Sequence, residues 1–309
     1  MGKPKRWYNP DATSTIRVIP RDDPNDSFCS IRWRHPRVDP TLGECLVYPL
    51  SDGPGLGLLV FFPPIFWLFS LPIFDVIAVL QPLKADWRLG LMVVPVMIPV
   101  IFSFAMTFGY AIVFLGHVLV SSSLGENDHP SWPEWHPADI AEGIFRWIWA
   151  AIAGLLVGAV PLVAYWYFCG EIDVFDCVVF SALIMLAAGF AQMALAAAML
   201  HENIVAANPI TVVAAVVRIG WAYLWPCFMA GIALAFTVFG VFLLLYKLPR
   251  MWMEALALWG YWVLVLYLGM VSIRMMGLTY HAHAPDLAWF RRRPRWATTR
   301  HHGQLYANS

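Results

Sequence analysis

Residues 125–149 read GENDHPSWPEWHPADIAEGIFRWIW. This is the one long polar interruption between two strongly apolar segments that still carries a pattern. It opens with Glu126, Asp128 and His129, passes through Pro130, Trp132, Pro133, Trp135 and Pro137, and then brings Asp139, Glu142 and Arg146 at spacings of three and four. Glu142 stands four residues ahead of Arg146, the favourable order for a helical ion pair. Ile140, Ile144, Trp147 and Ile148 fall on the other side, and Pro137 suits a first helical turn, where its missing amide hydrogen costs nothing. The stretch predicts a lid, with a short amphipathic helix over 137–149 lying flat in the membrane plane.

Working outward, 60% of the residues are apolar and 13% charged, far from the roughly 45–50% and about 25% of soluble domains. The chain is therefore read as an integral membrane protein. A helix needs roughly 20 apolar residues to cross a hydrocarbon core about 30 Å thick, and the segments Leu56–Leu80, Leu89–Val120, Ile144–Phe168, Cys177–Leu200, Pro226–Tyr246 and Leu256–Met276 meet that test. The predicted fold class is all-α, a polytopic membrane bundle of about six transmembrane helices with in-plane amphipathic helices. Pro63, Pro64 and Pro72 predict a kinked or partly broken first span. The small residues of the fourth, Ala187 to Ala198, predict a place at the bundle's centre.

Three regions follow. Residues 1–54 read as a mostly irregular tail, with at most a strand or two over Cys29–Val47. Residues 55–280 form the transmembrane domain, and 281–309 a basic tail. No apolar stretch in the first fifty residues resembles a signal peptide, so the first span is expected to direct insertion. The five cysteines lack zinc-ribbon spacing. Cys169 and Cys177 flank one short loop and would bridge only in an oxidising compartment.

The net charge is zero, so the placement of the basic residues is the informative quantity. Eight lie in the N-terminal tail and six between Arg274 and Arg300, while Arg146 and Arg218 follow the second and fourth spans. The opposite side has only Lys84, Arg88, Lys247 and Arg250. The positive-inside rule places both termini in the cytoplasm of a bacterial inner-membrane protein.

The opening stretch recurs in muted form at His201–Trp221. His129 and His201, Pro137 and Pro209, Arg146 and Arg218, and Trp149 and Trp221 are each 72 positions apart, as in the parallel repeats of some transporters. Asn208 is a good cap ahead of Pro209, and with only Thr211 and Arg218 polar the second copy is expected to be buried more deeply.

At Tyr110, Leu115, Gly125-Glu126, Pro130, Trp132, Trp135, Asp139 and Gly143 the chain resembles a domain-of-unknown-function family of polytopic membrane proteins in bacteria and archaea. The likeness covers roughly residues 56–276 and is specific near Gly125–Gly143. It implies a multi-span architecture and brings no established activity.

Candidate sites are few. His201-Glu202 begins an H-E-x-x-H pattern that fails at Val205. His129, Glu134, His136 and Asp139 are ligand types for zinc or manganese, but their spacing fits no helix face and a hydrated loop is the stronger reading. His117 and His201 would have to clamp a haem from two helix ends; hydrogen bonding to backbone or carboxylate explains them more simply. No metal and no cofactor is expected. Asp75 is the one acid inside a predicted span, a functional hypothesis by default, and Gln192 is expected to bond across the bundle. Glu142, Arg146, Glu202 and Arg218 are expected to form one cytoplasmic ion-pair cluster. The arginines of the C-terminal tail, with Trp289, Phe290 and Trp296, suit anionic headgroups better than nucleic acid.

The expected function is a non-enzymatic membrane scaffold that organises lipid or a membrane-protein partner. The alternative is a small transporter with its path near Asp75, Gln192 and the Glu202, Arg218 and Arg146 group.

Overall fold

A computed structural model describes residues 41–51, 53–80, 87–125, 130, 132–133, 135–169, 173–201, 203–245 and 251–287. These form eight α-helices and no strand: α1 (Leu42–Ser51), α2 (Gly53–Leu80), α3 (Trp87–Ser123), α4 (Pro137–Phe168), α5 (Val174–Leu200), α6 (Pro209–Ile219), α7 (Leu224–Leu245) and α8 (Met251–Leu287). Short 3-10 turns precede and follow α6. Six stretches are long and apolar enough to cross a membrane: Gly53–Pro72, Met97–Ser123, Pro137–Phe168, Val174–Leu200, Pro209–Gly240 and Leu256–Ala284. The chain is an all-α bundle of the polytopic membrane class.

The central pillar is α8, which packs on α1, α2, α3, α5, α6 and α7. From Met270 to Ala284 nearly every side chain is buried, whichever way it points, as expected of a helix enclosed on all sides. The central place expected for α5 holds for its second half. That helix is buried from Ala188 to Leu200, but its first half leaves Val174, Phe175 and Val178 exposed. Helices α3 and α8 run parallel: Leu115 meets Gly269, Ser122 meets Arg274, and Ser123 meets His281. At 37 residues each, both are about 55 Å long, well beyond a 30 Å hydrocarbon core.

Residues 42–51 form a helix where an irregular tail or strand was expected. Ten residues with two prolines nearby are a weak helix alone; tertiary packing holds α1, with Cys45 and Tyr48 buried and Leu46 O accepting a hydrogen bond from Tyr267 Oη at 2.7 Å. The remainder of the Cys29–Val47 expectation lies outside the described residues, as do residues 1–40 and 288–309 of the two tails. The first span continues through Pro63, Pro64 and Pro72 without interruption in α2, rather than breaking. The helix that carries the last span runs eleven residues past Met276, and its apolar stretch reaches Ala284.

The expected lid takes a different shape. Residues 137–149 are not a separate in-plane helix; they are the first turns of α4, which proceeds without a break into its span. No proline intervenes before Pro161, so each added residue gains a backbone bond and the helix propagates. At 32 residues it is about 48 Å long. In the second copy α6 is a separate helix, capped by Asn208, whose side chain accepts from Thr211 N at 2.8 Å, and ended at Gly220, where φ is +66°.

Along α4 and α5 the contact is close. A methyl group added at Gly158 would overlap the Ala187 side chain, and one at Gly154 would come 2.6 Å from Ala187 O. Small residues on both helices let the backbones approach.

Candidate functional site

The segment after α3 turns back along the bundle. Gly125 adopts φ +73°, and Trp132 then inserts among Phe62, Tyr110 and Phe114, at ring separations of 5.9, 6.3 and 4.7 Å. Phe114 and Tyr110 stand nine and thirteen residues before the end of α3, about 14–20 Å back along its axis. Tyr110 Oη donates to Pro133 O at 2.8 Å, and Trp135 stacks at 5.2 Å from Tyr110 while staying 56% exposed. The Pro-Trp ribbon is therefore an anchor wedged between α2 and α3, not a cover over the bundle's end.

Of the acids and histidines singled out in sequence, Glu126, His129, Glu134, Glu202 and the side chain of Asp75 lie outside the described residues. Asp139 and His136 are exposed at the start of α4, and His201 caps the end of α5, where its N–H bonds Ala197 O. Among the described residues no three His, Cys, Asp or Glu side chains come together as metal ligands. Gln192 bonds across the bundle, its Nε2 donating to Ser272 Oγ at 2.7 Å.

Of the expected four-residue ion-pair cluster, Glu202 lies outside the described residues, and among the other three one pair is seen. Glu142 and Arg146 are joined by a short hydrogen-bonded ion pair. Arg218 is exposed on α6 and pairs with no described residue. The reason is positional: α4 runs along α5, whereas α6 packs on α5 and α8, so the two repeat copies do not face each other. The repeat also pairs a buried Arg146 with an exposed Arg218, and the environments are not equivalent.

Arg146 is 5% exposed although its partner's side chain is 58% exposed. Its Nη1 faces the thioether of Met199 at 3.6 Å, a weak acceptor, and Nε has no hydrogen-bond partner. The indole N–H of Trp147, the next residue, is likewise buried without a partner. A guanidinium brings five donors, so this one is held with its capacity only partly used.

A second buried arginine was read as part of the basic tail. Arg274 is 4% exposed inside α8, donates from Nη1 to Ser122 Oγ at 3.0 Å, and lies 4.4 Å above the Tyr48 ring. Ser121, Ser122 and Ser123 turn their hydroxyls onto backbone carbonyls of the last turn of α3, the end where a helix dipole favours a cation. Only the serine run hinted at this in sequence, since the partners stand 152 and 226 positions from Arg274. Cys45 lies close enough to feel the guanidinium; burial pushes its thiol up to about 11, against the lowering influence of Arg274.

At the opposite end, Asp173 and Asp176 form a reciprocal cap on α5, with Asp176 N donating to Asp173 Oδ1 at 2.9 Å and Asp173 N to Asp176 Oδ2 at 2.8 Å. Tyr165 Oη also donates to Asp176, at 2.6 Å. Cys169 and Cys177 are free thiols, and the hydrogen bond from Cys169 to Asp176 raises the Cys169 pKa.

On α6, Val212, Ala215 and Ile219 pack inward, while Ile210 (83%) and Val217 (73%), with Trp221 (86%) in the 3-10 turn that follows, are exposed. Arg218 lies between the last two, and Trp225 is exposed one turn further on. Thus α6 is apolar on both faces: one side is covered by the bundle and the other is open. Comparison with protein-family models, with curated proteins and with solved structures finds no match for this chain.

Proposed function

We propose that this chain is a non-enzymatic multi-pass protein of the bacterial cytoplasmic membrane, with both termini inside, that organises anionic lipid at the inner leaflet. The observation that supports this reading best is the outward face of α6. A helix that turns Ile210, Val213 and Val217 away from its own bundle is suited to acyl chains rather than water. Its exposed arginine and tryptophans are the residue types that sit at headgroup level, the arginine extending its charge past an apolar stem. One basic residue near a charged surface contributes about 1 kcal/mol, roughly a fivefold preference for anionic over neutral lipid.

The test is the lipid that stays with the protein. The wild-type chain, extracted in mild detergent, is expected to carry anionic phospholipid enriched severalfold over the surrounding membrane, measured by lipid mass spectrometry. Arg218→Gln with Trp221→Ala should lower that enrichment without changing the melting temperature. Bound lipid with the same composition as the bulk membrane would sink the reading.

A further inference from the structure

We infer that Arg146 is an anion-binding site for a phosphate oxyanion, and that Glu142 is the internal carboxylate holding its place while no ligand is bound. The inference goes beyond the role given to α6: the site lies between α4 and the end of α5, and it stands if α6 proves inert toward lipid.

Two observations converge. The first is an incompletely used cation. Arg146 is 5% exposed, yet of its nitrogen atoms Nη2 alone meets a strong acceptor, Glu142 Oε1; Nη1 meets Met199 Sδ and Nε meets nothing. Buried donors in folded proteins are almost always matched, and the deficit here falls on the group whose planar fork best fits a two-point oxyanion.

The second is a way in. Glu142 is 58% exposed while Arg146 is covered, so the pair reaches the surface at its carboxylate. An incoming anion meets the guanidinium by displacing Glu142, which stands at the outer surface of the first turns of α4.

A carboxylate and a phosphate can each present two oxygens to one guanidinium edge, and phosphate is the oxyanion that a bilayer surface carries in abundance. A single carboxylate oxygen, as Glu142 supplies, leaves Nε unmet. A tetrahedral phosphate ester offers non-bridging oxygens to Nε and Nη2 together, with Nη1 still resting on the sulfur of Met199. That chemistry is shared by a phospholipid headgroup and by a soluble phosphate, and the two are separated experimentally.

The experiment uses the full-length chain, stripped of lipid in detergent. Binding is read as the concentration-dependent rise in melting temperature that follows when a ligand binds the native state alone. Inorganic phosphate is titrated in one arm; mixed micelles containing phosphatidylglycerol, against phosphatidylcholine as control, form the other. The wild type is expected to respond in at least one arm. A response to phosphatidylglycerol alone identifies a lipid headgroup site, and a response to inorganic phosphate identifies a site open to soluble esters.

Glu142→Gln removes the competitor at an exposed position and should tighten binding at least threefold. Arg146→Lys keeps the charge but loses the fork, and should weaken binding at least tenfold; a failure of that variant to fold leaves Glu142→Gln as the deciding measurement. Trp221→Ala should leave the phosphate response unchanged, which separates this site from α6. No response by the wild type in either arm, or Glu142→Gln binding no more tightly than wild type, overturns the inference.

Discussion

A close approach in the bundle gives a prediction whose sign is fixed by position alone. Replacing glycine by alanine inside a helix gains about 0.8–1.0 kcal/mol of intrinsic propensity, and this gain is common to any mid-helix site. At Gly158 the new methyl group overlaps Ala187, with Ala187 Cα at 3.3 Å and Leu183 O at 3.5 Å, so α4 must move away from α5; at Gly260, on α8, nothing stands within 4 Å. Overpacking of this kind costs about 1–3 kcal/mol. The propensity gain cancels between Gly158→Ala and Gly260→Ala, leaving that cost as the difference. For a chain of this size each kcal/mol moves the melting midpoint by about 2 °C, so Gly158→Ala should melt about 2–6 °C below Gly260→Ala. Intrinsic fluorescence during a thermal ramp in detergent measures both. Equal midpoints, or a higher one for Gly158→Ala, would refute the packing described for α4 and α5.

Other outcomes follow from single contacts. Gly125→Ala places a side chain at φ +73° and against the His281 ring, costing at least about 1–2 kcal/mol for the backbone alone, visible as a lowered midpoint. Trp132→Ala empties the space between Phe62, Tyr110 and Phe114 and should cost about 3–5 kcal/mol; limited proteolysis should then cut between 125 and 136, and resistance equal to wild type would count against the anchor. Asn208→Ala removes the cap of α6, about 0.5–2 kcal/mol, and should raise hydrogen exchange in Thr211 and its neighbours while α8 stays protected. Cys45 keeps its proton in the fold up to about pH 11, whereas an unfolded thiol loses it near 9. Its contribution to stability is therefore complete below pH 9 and lost between 9 and 11, and at pH 8 Cys45 should resist alkylation in the folded protein while exposed Cys177 reacts.

The six spans were legible because burial in lipid writes itself as length: a run of twenty apolar residues has few other uses. Local chemistry was equally readable where its partners are close in sequence, as with Glu142 and Arg146, Pro209, and Asn208. The reciprocal cap at Asp173 and Asp176 carries the same kind of signal, two acids three residues apart before an apolar run. What stayed hidden depends on long-range contact. Arg274 stands two residues before the expected end of its span, and composition alone made it a tail cation; its burial follows from Ser122 and Tyr48, on other helices. The polar stripe of α4 was taken for an in-plane helix because amphipathicity reports which face is wet, and it does not report where the helix ends. Likewise α1 is too short to announce itself and exists because α8 gives Cys45 and Tyr48 somewhere to go.

The account depends on a bundle that crosses the membrane six times with its basic end inside, and labelling from the two sides tests this directly. In spheroplasts, a chain retaining Cys177 alone should react with an impermeant maleimide while the membrane is intact. A cysteine-free chain carrying Arg300→Cys should react only after permeabilisation. Protection of Cys177 together with labelling of position 300 from outside would reverse the topology, and the lipid-organising role assigned to the inner leaflet would go with it.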